Sequence, residues 1–152
     1  MANPLQVRQC REYSEAVRLT LCKLCQLSSR LESGNPVLVG IFSRMHNFRF
    51  PTALDPCFLA VEIECDAFET GRQYRLEFRM IDEDGAIRHA HDGVLDLPPS
   101  PDPYPKQTQF EIRVPWREPM VFERSGIFRF DVVVYRDEEE DILGGTTLVV
   151  HG

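Results

Sequence analysis

Four stretches of this chain alternate apolar and polar residues with a period of two, and the extended strand is the regular element with that side-chain period. In Cys57–Cys65 one face would carry Cys57, Leu59, Val61, Ile63 and Cys65, while Glu62 and Glu64 fall on the other. In "RQYRLEFRMI" the apolar face is Tyr74, Leu76, Phe78 and Met80, against Arg75, Glu77 and Arg79. "QFEIRV" sets Phe110, Ile112 and Val114 inward, and "GIFRFDVVVY" does the same with Phe128, Phe130, Val132 and Val134. "VLVGIF" (Val37 to Phe42) is a short continuous apolar strand, "AIRHAHDG" a short strand after the Asp82–Gly85 turn, and "TTLVV" a last strand. About eight short strands punctuated by turn residues favour an all-β fold. The expected architecture is an antiparallel two-sheet sandwich of about seven to nine strands.

A chain of 152 residues is the length of one ordinary domain. The expected organisation is an N-terminal arm over residues 1–16 and a single sandwich domain over 17–152, with a short helix as the other reading of the N-terminal part. With 43% hydrophobic residues, the core needs no disulfide or zinc staple. A net charge of −7 argues against nucleic acid, which requires a basic face. No apolar run approaches the roughly 20 residues of a membrane helix. The N-terminal residues lack the apolar core of a secretory signal. Five cysteines without dense spacing point to a reducing cytoplasm. "LPPSPDPYPK" (Leu97 to Lys106) has five prolines in ten residues; proline cannot donate to a ladder, so this is a long connection between strands. "RDEEED" (Arg136 to Asp141) reads as a solvated hairpin loop, and "LGGTT" (Leu143 to Thr147) as a glycine-containing turn.

The stretch "LTLCKLCQL" is ambiguous. Ser14 and Gly34 would bound a helix carrying Val17, Leu21, Leu24 and Leu31, yet Val17, Leu19 and Leu21 also alternate as in a strand. A helix would set Cys22 and Cys25 on one face, and a strand would set them on opposite faces. A structural zinc needs four ligands, and no second CxxC pair follows. Buried free cysteine behaves as a small hydrophobe, which is the expected role of both residues.

Several landmarks together resemble a family of small bacterial β-sandwich domains of unknown function. They are Leu21-Cys22, Gly34, "VGIFSRM" from Val39 to Met45, Phe50-Pro51 and the aspartate-glycine turn of "RMIDEDG". Phe122, Gly126, Phe128, Phe130 and Val132, followed by "DILGG", complete the pattern over roughly Val17 to the C-terminus. Lys23 stands where the family usually has an acidic residue. The resemblance implies an Ig-like sandwich and a strand at Val17 to Cys25. It implies no activity.

Candidate chemistry is sparse. His89 and His91 are two apart and would share a strand face, with Asp92 beside them, so this cluster is the best candidate for a divalent metal. A third ligand would have to come from His46, His151 or a distant carboxylate. The loop acids Asp82, Asp84 and Asp137 to Asp141 lack the spacing of a calcium-binding hand. No nucleophile elbow, phosphate loop or dinucleotide fingerprint is present. "VPWREPMVF" contains the single tryptophan. Trp116, Arg117 and Met120 are of types enriched at interface cores, and the alternative for Trp116 is to close one end of the sandwich. Phe48 and Phe50 in the long Ser43–Pro56 segment are further partner-binding candidates, or plugs for the open end of the core. The functional expectation is a non-enzymatic cytoplasmic binding or accessory module that needs no cofactor and acts on another protein through loops or a sheet edge. Open strand edges also allow homodimerisation. The alternative is a metal-dependent enzyme or metal-binding protein built on His89 and His91.

Overall fold

The computed structural model describes residues 17–46, 49–66, 72–97, 108–117 and 120–152. Among these the regular structure is entirely strand: β1 (Val17–Arg30), β2 (Pro36–Phe42), β3 (Arg44–Met45), β4 (Thr52–Leu54), β5 (Cys57–Cys65), β6 (Gln73–Ile81), β7 (Ile87–Asp96), β8 (Thr108–Trp116), β9 (Met120–Phe122), β10 (Gly126–Arg136) and β11 (Glu139–Val150). The first sheet has the order β2-β1-β5-β8 and the second β3-β11-β10-β6-β7, while β4 and β9 form a small third pair. All pairings are antiparallel except that of β3 with β11, which is parallel. Setting aside the two- and three-residue β3, β4 and β9 leaves eight strands, as the alternation predicts. The first strand is not helical, because its cross-strand partners on both sides satisfy its backbone.

The inner faces are the apolar faces read from the sequence. Leu59, Val61 and Ile63 of β5 are buried against Leu76, Phe78 and Met80 of β6 and Phe130, Val132 and Val134 of β10. Trp116 extends β8 inward by one further step, and its ring meets Phe130 edge-on at 5.3 Å. Since β8 and β10 belong to different sheets, this contact ties the two layers together. Leu97, the first residue of the proline-rich stretch, is buried; the remainder of that stretch lies outside the described residues, as do residues 1–16.

The acidic run forms the expected solvated hairpin, with only Asp137 and Glu138 between β10 and β11, both with positive φ (47° and 71°). That is the backbone of a tight two-residue hairpin turn, whose twist matches the flanking strands. The "LGGTT" stretch is not a turn but the middle of β11. There Val132 pairs with Gly144 and Val133 with Ile142, so Leu143 is the extra residue of a bulge. Gly144 takes φ +146°, and a Cβ on Gly145 would collide with the Phe130 carbonyl oxygen. The glycines serve the bulge and the close approach of two strands, and not a chain reversal.

The far half of β1 bends. Cys25 pairs with Phe58 near the start of β5, and residues beyond it have no partner there. Yet Ser28 accepts a hydrogen bond from Arg113 Nε at 2.8 Å, and Arg30 forms an ion pair with Glu111 at 2.6 Å. Both partners lie on the outer face of β8, whose inner face carries Ile112 and Val114. The β1–β2 hairpin therefore curls back over the outside of its own sheet. Gly40, with φ +66°, allows Gln26 to pack against the backbone of β2 in this region.

Replacement of Gly145 by alanine is expected to destabilise the protein by about 1–3 kcal/mol, because the added methyl overpacks a strand contact. Urea denaturation measures this, and an unchanged midpoint would contradict the close approach.

Candidate functional site

His89 and His91 sit on β7, an edge strand of the second sheet. They pair with Met80 and Phe78, so both imidazoles share the inner face, as two-residue spacing dictates. Asp92 lies on the opposite face, opposite Glu77, and its carboxylate pairs with Arg75 at 3.2 Å. The expected trio therefore does not converge. His91 is already engaged by packing: its ring meets Trp116 edge-on at 4.5 Å. His46 and His151 stack on each other, ring centroids 5.2 Å apart, near the β3–β11 edge, across the sheet from β7. Among the described residues, no group of three or more His, Cys, Asp or Glu side chains is placed to hold a metal ion.

His89 also lines a cleft of about 360 Å³ at one end of the sandwich. Met80, Phe122 and Phe128 contribute its apolar lining, and Glu83, Arg88, Arg124 and Ser125 its polar part. Most of these polar groups have local partners. Glu83 accepts the Ile127 N–H at 2.8 Å, Arg88 pairs with Asp82 at 2.6 Å, and Arg124 pairs with Asp84 at 3.2 Å. Asp82 also accepts the Ala86 and Asp84 N–H groups, and the Ala86 bond leads in holding its carboxyl below the usual range. This is the electrostatics of a braced turn, with carboxylates and guanidinium groups neutralising one another.

The outer face of the second sheet holds a second closed network. Arg79 is buried and donates to Glu140, Glu77 and the Tyr135 hydroxyl. The hydrogen bonds to Glu140 and Glu77 push the Arg79 pKa up, and the Arg79 bond in turn holds the Glu140 carboxyl below its usual range. Arg75 lies over the Tyr135 ring at 4.5 Å.

The partner surface expected around Trp116 is not assembled there. Trp116 and Met120 are buried, and Phe50 packs against the core from a half-buried position. Arg117 alone of the group is exposed, and Phe48 lies outside the described residues. The reason is geometric: Trp116 continues the inner-face alternation of β8, so the side chain that reads as an anchor is consumed between the sheets. Cys22 and Cys25 fall on opposite faces, and both are buried. Cys22 belongs to the inner core, whereas Cys25 lies on the side over which the hairpin curls.

The surface that stands out is one that residue-type reasoning passes over. Leu27 (60% exposed), Leu31 (58%), Val39 (46%) and Ile41 (56%) cluster on the β1–β2 hairpin. Leu27 pairs directly with Val39, so these two share the hairpin face opposite Ser28, which pairs with Leu38; Ile41 lies beyond Gly40 and pairs with the buried Cys25. β2 is also the last strand of its sheet. Its residues, Pro-Val-Leu-Val-Gly-Ile-Phe, include no charge.

The class so defined is an all-β two-sheet sandwich with open strand edges. Residues 20–150 match the model of a family described as a family of unknown function, DUF6941, and the chain belongs to that family. No curated protein matches the chain. Among the described residues, no helix is long and apolar enough to cross a membrane.

Burial pushes the Cys22 thiol up to about 12 and the Cys57 thiol up to about 11. Thiols held protonated in this way react slowly, so Ellman's reagent at mildly alkaline pH should leave both unmodified until urea is added. Their raised native values favour the folded state below the ordinary thiol range. That contribution is lost as pH rises towards the native values, so stability should fall in strongly alkaline buffer. Rapid modification of the folded protein at either position would contradict their burial.

Proposed function

We propose that this domain is a non-enzymatic protein-binding module of the reducing cytoplasm, and that its contact surface is the β1–β2 hairpin with the open edge of β2. The observation that carries the reading is the coincidence, on one element, of clustered exposed aliphatic side chains and an uncharged edge strand. Exposed strand edges are templates for another strand, and proteins ordinarily blunt them with charge, proline or bulges. Here proline occupies only the first position of β2. Exposed apolar clusters likewise mark contact surfaces more often than isolated apolar residues do. The absence of a disulfide among the described cysteines supports the compartment.

A photo-crosslinking residue placed at Val39 of the full chain, in its native host, should give a discrete protein adduct that Ile41→Lys abolishes. The same residue at Val94, 62% exposed on the other sheet, should give none. Equal labelling at both positions, or none at Val39, would contradict this assignment of the surface.

The rival reading, a metal site on His89 and His91, has in its favour the two imidazoles on one inner face. Untagged protein should bind no stoichiometric zinc in equilibrium dialysis, and chelator should leave its thermal midpoint unchanged. One equivalent of zinc that disappears in the His89→Ala, His91→Ala variant would establish the rival.

A further inference from the structure

We infer that the strand received by β2 is β2 of a second copy of this chain, paired antiparallel across a two-fold axis. This rests on the reading of the β2 edge as the contact surface and names its occupant. The two main sheets end in four edge strands: β2 and β8 in the first, β3 and β7 in the second. Glu111 and Arg113 lie on β8, Arg44 on β3, and Arg88, Asp92 and Asp96 on β7. β2 alone of the four has no charged residue. With both copies carrying a net charge of −7, a self-contact is most favourable where the surface is locally neutral or complementary.

The flanks of β2 supply the complementarity. Glu32 lies in the turn before it and Arg44 just after it, both exposed. Neither has an ion-pair partner among the described residues. A two-fold axis makes the two β2 strands run antiparallel and brings the same patch of each copy together. With Leu38 near the axis, the turn that carries Glu32 lies at one end of β2, and at the other end the chain leaves for Arg44, the first residue of β3 in the second sheet. The Arg44 end of one strand thus meets the Glu32 end of the other, and symmetry repeats the pair. Val37 of one copy falls opposite Val39 of the other, an apolar cross-strand pair of the kind that stabilises sheets. Continuous pairing would join the two four-stranded sheets into one of eight strands, and would satisfy the backbone groups of β2 that face away from β1.

Sedimentation velocity of the full chain over a wide concentration range tests this. A reversible monomer–dimer equilibrium is expected. Val39→Lys should abolish the dimer by charging its central strand. Arg44→Glu and Glu32→Arg should each weaken dimerisation roughly tenfold, by turning two attractive pairs into repulsive ones. The double variant Glu32→Arg, Arg44→Glu should restore it, and that rescue is specific to antiparallel self-pairing. Circular dichroism and urea midpoints confirm that the variants fold; if Val39→Lys does not, the two reversals and their rescue decide alone. A chain that stays monomeric throughout, or a dimer indifferent to the single reversals, overturns the inference. A monomer whose Val39 crosslinks to a different protein overturns self-pairing and leaves the binding role standing. A monomer without a Val39 adduct overturns both.

Discussion

The contact of Trp116 with Phe130 is the constraint on which most of this structure depends. Trp116 is the largest fully buried side chain, and it crosses from the edge strand of one sheet to a central strand of the other. Once it fills that space, the inner face of β7 has to complete its surroundings, and His91 does so with an edge-on ring. The strand period then fixes the rest. His89 shares the inner face two residues earlier, and Asp92 has to point outward. A cluster that looks like a ligand set along the chain is thus divided by the pleat, with one imidazole committed to packing and the carboxylate to Arg75. The same contact removes Trp116 from the list of surface anchors.

The polar residues of the outer faces are organised by a different rule. Arg79, Glu77, Glu140 and Tyr135 form a network in which each charge has a partner of opposite sign or a hydroxyl. An arginine this buried is tolerable only when its donors are satisfied. On the other sheet, Arg113 reaches Ser28 and the carbonyls of Val61 and Ile112. Its role is to hold the bent hairpin down over Cys25 and Ala60, both of which are completely buried. In neither place does a free charge project from a cavity towards a reactant.

Local alternation made the fold class and the inner faces of β5, β6, β8 and β10 legible in the sequence, whereas the opposed cysteines followed from the family resemblance, because alternation alone left Val17 to Cys25 open between helix and strand. Alternation also placed His89 and His91 on one face. Legibility ended where the answer depended on which strand lies beside which. "RDEEED" gave no local sign that its outer acids continue the strands, because the tight turn is set by the register of β10 against β11. "LGGTT" resembles a turn by composition, and only the proximity of the Phe130 carbonyl shows why glycine is needed inside a strand. Trp116 reads as an anchor by residue type, but the alternation of "QFEIRV", carried two residues further, already pointed it inward. The apolar run Val37 to Phe42 reads as a strand, yet its position at the sheet edge follows from the order β2-β1-β5-β8, which no local pattern contains.

That position gives the hairpin its significance. A two-stranded ribbon is marginal in water unless at least one of its faces packs. Here Ser28 and Arg30 turn one face onto the sheet through polar contacts, while Leu27 and Val39 occupy the other. Reversing the two faces would bury the exposed aliphatic side chains and release Leu38, which shares the Ser28 face, together with polar groups, so the observed orientation leaves the larger number of aliphatic side chains in water. The edge of β2 presents the same imbalance, since a single lysine within it would discourage pairing at little cost to an exposed strand. The two features share one hairpin, and a contact that used both would relieve them together. This argument favours a binding surface on the first sheet over a chemical centre in the charged cleft, where the polar groups already neutralise one another.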